Sequence, residues 1–119
     1  MRELKSGLEH KYTRVFADEN YNGNAPCSYI VCERENTMLN KPLGELHFQN
    51  GPIGEVGING VMDENLIAIV IDRLEHFQQS EFKCRENALA ITHLEEALLW
   101  MKKRTLDREL RGVEGTHKV

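Results

Sequence analysis

Arg104 and Arg108 stand four residues apart in the stretch KKRTLDRELR, which contains no Pro or Gly and is rich in helix formers. On a helix that spacing projects both guanidinium groups from one face. Two planar forks side by side suit a pair of phosphate groups, because each can donate two parallel hydrogen bonds. Arg111 lies near the same face. The same residues also suit a solvated basic end that complements the helix dipole, and the pattern alone leaves both readings open.

Phe77 and Asn87 form a second candidate pair. Phe77 ends one helical pattern and Asn87 begins the next, so a helix hairpin would bring them close in space. A phenyl face can stack on a base, and a carboxamide can donate and accept along a base edge or to a ribose. A core phenylalanine and a helix-start asparagine are the plain alternative. Seventeen residues separate Asn87 from Arg104, or about 26 Å of helix at 1.5 Å per residue. One small ligand cannot touch both ends within one chain, so if both ends bind, two chains must cooperate.

Other chemistry finds little support. The five histidines (His10, His47, His76, His93, His117) show no metal-ligand spacing, and no HExxH or Cys/His cluster is present. No Ser lies in a GxSxG context and no Cys has an obvious His partner. GVEG, Gly112 to Gly115, is not followed by a helix and so is not a phosphate loop. The expectation is a protein without catalytic residues, metal or cofactor.

Those side chains must be positioned by one domain of 119 residues. The formal charge of -4 argues against a nucleic-acid polymer as partner. The charge is uneven, however. Lys102, Lys103, Arg104, Arg108 and Arg111 face only Asp107 and Glu109 in their stretch, a local basic end suited to a few phosphates. Cys27, Cys32 and Cys84 make an odd count with no CxxC pair, as expected of free thiols in a reducing cytosol. No apolar run approaches the roughly 18 residues that span a bilayer, and the charged N-terminus lacks a signal peptide's apolar stretch. A cytoplasmic protein is expected, with no membrane partner.

The first half carries turn signals and short apolar runs. Asn-Gly occurs at Asn22-Gly23, Asn50-Gly51 and Asn59-Gly60, pairs that suit two-residue hairpin turns. Between them lie strand-like runs at Tyr12 to Phe16, at Tyr29 to Cys32, and at Glu45 to Gln49, where Leu46 and Phe48 alternate with polar residues. Ile53 to Val61 reads as a weaker fourth strand, loosened by Gly54 and Gly57. An antiparallel β-meander follows.

The period then changes. Asp63 can cap a helix starting at Glu64, in which Leu66, Ile67, Val70, Ile71, Leu74 and Phe77 recur at helical spacing. After the short polar break Gln78 to Lys83, a long helix runs from Cys84 to Arg111 and stops at Gly112. Leu94, Leu98 and Met101 form its apolar stripe, with Ile91 and Leu99 beside it; Trp100 is read as half-buried core or dimer interface. The fold class is therefore α+β: a meander over about residues 10–61, an antiparallel two-helix hairpin over about 63–111, and a tail at 112–119. A helix of more than about 40 Å overhangs a domain about 35 Å across, and a second copy of the chain is the simplest cover for its stripe.

The segment Cys84 to Val119, with its CREN start, LEEALLW centre and KRTLDRELRGVEGTH end, resembles a phage-encoded family. That family is the Thoeris anti-defence sponges of phages and prophages, in their first-described class. RGVEGT is also similar to the tail of the small phage sponges that counter cyclic-oligonucleotide (CBASS) immunity. The specific match spans about a third of the chain; FADEN and PCSYIV are compatible with the Thoeris sponges. The resemblance implies a non-enzymatic protein acting in the infected bacterial host cell. Its ligand would be a cyclic ADP-ribose isomer made by a TIR-domain enzyme (glycocyclic ADP-ribose), bound without degradation. Some members hold cyclic di- or trinucleotides at a separate pocket, which adds those to the implied partners. It also implies a homo-oligomer, dimer or hexamer, with Phe77, Asn87, Arg104 and Arg108 contacting the signal. This chain has Glu81-Phe82-Lys83 where relatives often carry a small or Pro-containing segment, which makes Phe82 a rival to Phe77. The alternatives are a small phosphodiesterase or hydrolase acting on cyclic nucleotide signals, and a helical protein-interaction module.

Overall fold

A computed structural model describes residues 1–36 and 40–119. The chain divides into two compact units, Met1–Val61 and Met62–Val119.

The first unit is an antiparallel meander of four strands in the order β1-β2-β3-β4: β1 (Arg2–Glu3), β2 (Thr13–Ala17), β3 (Ser28–Glu33) and β4 (Gly44–His47). The central pair is in register from Thr13 opposite Glu33 to Ala17 opposite Tyr29. Ala17 and Cys32 are fully buried. Tyr29 and Phe48 meet edge to face with centroids 5.5 Å apart, a favourable arrangement of the ring quadrupoles.

β1 carries no apolar signal and was not anticipated. Charge holds it: the Glu3 carboxylate lies 3.6 Å from Arg34 and 4.0 Å from Arg14. Arg34 also donates to the carbonyls of His10, Lys11 and Thr13, which fixes the approach to β2.

Two expectations for this half are corrected. The Asn-Gly pairs do not form two-residue hairpins. Residues 18–27 link β2 to β3, and of the three glycines only Gly51 takes positive φ, at 92°. Ile53 to Val61 is not a strand. Pro52, at φ -68°, starts one turn of helix, α1 (Ile53–Val56), which Gly57 ends at φ 79°. Only Val61 joins the sheet, as a parallel bridge to Phe48. The Gln49 side chain organises the loop: its Nε2 donates to the carbonyls of Gly51 and Gly57, and its Oε1 accepts from the Asn59 N–H.

Gly60 is required for space, not for φ. A Cβ there would stand 2.4 Å from the Phe48 carbonyl carbon and 2.5 Å from its oxygen, where only backbone could give way. Gly60→Ala is expected to destabilise this unit by about 1–3 kcal/mol, as overpacking does. Hydrogen exchange at the Gln49 and Val61 amides, which bond Val61 and His47 across the bridge, should accelerate if the bridge opens; unchanged protection would contradict this account.

The second unit pairs α2 (Asp63–Gln78) with α3 (Arg85–Leu110). Helix α2 starts one residue earlier than expected. Met62, not Asp63, is the cap residue, and the Asn65 side-chain oxygen accepts from the Met62 N–H at 2.9 Å. Asp63 and Glu64 sit in the first turn, where their charge complements the dipole. The inner stripe of α2 is Leu66, Ile67, Ile71, Leu74 and Gln78, and Ile71 is the one buried residue. That of α3 is Asn87, Ala90, Ile91, Leu94, Ala97, Leu98, Met101, Thr105 and Arg108. Leu99 and Trp100 face away, 68% and 65% exposed, so neither belongs to the core of its own chain. Two helices alone bury a thin core and leave Ile69, Leu99, Trp100, Leu106 and Leu110 in solvent.

Helix α3 ends as Gly112 requires. At φ 73°, Gly112 donates its N–H to the Glu109 carbonyl, and Val113 donates to that of Arg108, both at 3.0 Å. These crossed bonds form a Schellman cap.

Candidate functional site

At the hairpin turn the Gln78 amide acts as a clasp. Its Nε2 donates to the Cys84 carbonyl at 2.9 Å and its Oε1 accepts from the Cys84 N–H at 3.0 Å. The start of α3 is thereby held to the end of α2, and residues 79–83 become a closed loop. Ser80 shapes that loop by donating its hydroxyl to the Phe77 carbonyl at 2.6 Å and accepting from the Phe82 N–H at 3.1 Å.

The result is a cleft of about 500 Å³ lined by Asp72, Arg73, His76, Phe77, Ser80 and Phe82. Phe77 is 42% exposed and Phe82 69%, so both offer ring surface to a ligand. The rivals therefore share one cleft. Arg73 stacks its guanidinium 5.8 Å from the centre of the Phe77 ring. His76 sits one turn above Asp72, its Nδ1 at 2.8 Å from the Asp72 carbonyl and 3.6 Å from the carboxylate. The chemistry of this end is aromatic faces rimmed by polar groups of both signs. It fits a base or a ribose better than a phosphate, because the Asp72 carboxylate would repel an anion.

Asn87 lies half-buried in the first turn of α3 on its inner stripe and is not among the residues lining the cleft. The clasp fixes the backbone just before it. Arg73, His76, Asp72 and Ser80 were missed as site residues. Their signal was helical spacing: Arg73 precedes Phe77 by one turn, and Asp72 precedes His76 by one turn.

Arg104 and Arg108 occupy the far end of α3. Arg104 is exposed and has no hydrogen-bond or ion-pair partner among the described residues. Arg108 is half-buried and donates to the main-chain oxygens of Val113, Thr116 and Val119. The two ends of α3 are not brought together within the chain; the unbroken helix keeps Asn87 and Arg104 about 26 Å apart. Lys103 is drawn to Asp107 at 3.2 Å, which leaves Lys102 and Arg104 without an ion-pair partner among the described residues. Among the described residues no group of three or more His, Cys, Asp or Glu could hold a metal ion, and no helix is long and apolar enough to cross a membrane.

Comparison with known proteins is specific. A family model described as "Acb2/Tad1, hairpin domain" matches residues 45–106. That span includes Phe77, Asn87 and Arg104 and stops before Arg108. The chain is also 45% identical over 140 aligned positions to the protein "Thoeris anti-defense 1" of Bacillus phage SBSphiJ7, an alignment covering 98% of this chain and 99% of that relative.

Proposed function

The chain belongs to the Acb2/Tad1 hairpin family, with the Thoeris anti-defence sponges, and we propose that it works as one. It captures a cyclic ADP-ribose isomer signal, glycocyclic ADP-ribose by the family resemblance, and holds it unaltered. The site is completed by two copies of the chain. Phe77 of one copy stacks on a base, Phe82 covers the same cleft, and Asn87 hydrogen-bonds nearby. Arg104 and Arg108 of the other copy neutralise the pyrophosphate. Cyclic di- or trinucleotides at a second pocket extend the same activity.

One observation carries this reading. The helix hairpin bears an aromatic cleft at the end of α2 and the turn before α3, and at the far end of α3 an arginine with no partner among the described residues, too far apart for one ligand yet suited to opposite ends of the same one. The exposed Leu99, Trp100 and Leu106 supply the apolar surface on which copies would associate. To starve an effector, the protein must hold its ligand tightly: nanomolar affinity is about 12 kcal/mol. Stacking gives roughly 1–3 kcal/mol per base, so charge-assisted contacts and enclosure supply the remainder.

Calorimetric titration against cyclic ADP-ribose isomers, followed by heat denaturation, tests capture without turnover. The expected result is stoichiometric binding and recovery of intact ligand. Recovery of a cleaved product, with or without magnesium, would indicate an enzyme instead. Phe77→Ala is expected to weaken binding by about 10- to 100-fold, the worth of one stacked base, with unchanged helical content by circular dichroism. Undiminished affinity in that variant would assign the stacking to Phe82.

A further inference from the structure

Basic residues at a helix end ordinarily serve its last carbonyls. Here backbone N–H groups of Gly112 and Val113 already satisfy the carbonyls of Glu109 and Arg108, and the Arg108 side chain turns elsewhere. Its Nη2 donates to the carbonyls of Val113 at 3.0 Å and Thr116 at 3.1 Å, and its Nη1 reaches the main-chain oxygen of Val119 at 3.4 Å. Arg111 donates to the same Val119 oxygen at 2.9 Å.

The segment is shaped to receive it. Gly112 and Gly115 take φ of 73° and 76°, values open to glycine and strained for other residues. Between them the chain turns: the Thr116 N–H donates to the Val113 carbonyl at 3.1 Å and the Thr116 hydroxyl to the same oxygen at 2.6 Å. The Lys118 N–H then donates to the Thr116 hydroxyl at 3.2 Å. Thr116 thus closes the turn that aligns the carbonyls.

The two Nη2 acceptors, at Val113 and Thr116, are neutral carbonyls. No Asp or Glu side chain among the described residues pairs with Arg108. Three of the five guanidinium N–H groups are engaged, which leaves Nε–H and one Nη1–H. Arg104 stands one turn earlier, exposed and without an ion-pair partner among the described residues.

We infer that residues 112–119 are a positioning element for the anion end of the site, in which Thr116 holds Arg108 in one orientation with two N–H groups free for a phosphate. The inference rests on the sponge reading for the ligand, but not for the anion. Thr116 is a positioning residue: it acts through Arg108 and need not touch the ligand. Order supplied before binding need not be supplied during it.

The test compares Thr116→Val, which keeps the shape and removes the hydroxyl, with Thr116→Ser, which keeps the hydroxyl. Gly115→Ala opens the same turn independently by strain. Each full-length protein is followed by the NMR signal of Arg108 Nε–H, identified by its loss in Arg108→Lys. Each is titrated with inorganic pyrophosphate and with a cyclic ADP-ribose isomer. In the unsubstituted protein the signal should be resolved and should shift with pyrophosphate. In Thr116→Val and Gly115→Ala it should collapse toward that of a free arginine. Affinity for both probes should then fall about tenfold, the cost of ordering one long side chain on binding; Thr116→Ser should behave as the parent. Unchanged affinity despite a collapsed signal would overturn the inference, as would a pyrophosphate titration that never moves the parent signal. A parent that takes pyrophosphate at Arg108 but no cyclic ADP-ribose isomer would support the positioning role and reject the sponge reading.

Discussion

Replacing Arg104 by alanine should weaken capture of a cyclic ADP-ribose isomer by about 10²- to 10³-fold, the largest effect expected of any single site substitution. The side chain is exposed and makes no ion pair or hydrogen bond among the described residues, so its loss removes nothing that stabilises the isolated chain. A guanidinium that meets a phosphate forms charge-assisted bonds worth about 1.5–3 kcal/mol each, and tenfold in affinity is about 1.4 kcal/mol. Calorimetry of Arg104→Ala beside the parent, with matched thermal melts, gives the answer. Arg104→Lys should recover only part of the loss, because a point charge cannot replace a two-pronged contact. If Arg104→Ala binds like the parent, the basic end is a solvated helix terminus and the proposed shared site is wrong.

Ile71→Asp should unfold the helical unit or leave it molten. Ile71 is the only residue of α2 and α3 that is buried, 9% exposed, and it faces the inner stripe of α3. Removing its apolar surface from the core costs about 1.5–3 kcal/mol. Forcing an unpaired carboxylate into the same place costs a further several kcal/mol unless it takes up a proton. Domains of this kind have only about 5–15 kcal/mol in hand, so the sum is a large share of the total. Circular dichroism at 222 nm should show a strongly lowered melting temperature, and Ile71→Val, which loses one methylene, should remain near the parent. A cooperative melt within a few degrees of the parent for Ile71→Asp would mean that this position is not the centre of the core.

Local chemistry explains which features were legible. Gly112 announced the end of α3, because a left-handed cap is a property of the residue itself. The stripe through Ile91, Leu94, Leu98 and Met101 was readable from the helical period, whereas Leu99 was misplaced beside it; neighbouring residues on a helix diverge by a wide angle. The runs at Thr13 and Tyr29 announced strands by their β-branched and aromatic content. By contrast β1 is two charged residues fixed by Arg14 and Arg34, partners distant in sequence. The stretch after Pro52 looked like a weak strand because its apolar residues alternate loosely. A side chain from outside it, Gln49, decided its path.

The same division runs through the site. The sequence by itself determined the α+β order, the long uninterrupted helix, and the types and spacing of Phe77, Asn87, Arg104 and Arg108, because helical period and residue chemistry are local. The family likeness was legible there too, in the segment from Cys84 onward. Only the tertiary structure decided that Phe77 and Phe82 line one cleft with Arg73 and His76, and that Arg108 is held by main-chain oxygens of the tail while Arg104 has no partner among the described residues. Those facts depend on a loop closed by Gln78 onto Cys84 and on a turn closed by Thr116 onto Val113. Each is a contact between groups that sequence spacing alone does not aim at one another, since the backbone must first be folded to bring donor and acceptor within reach.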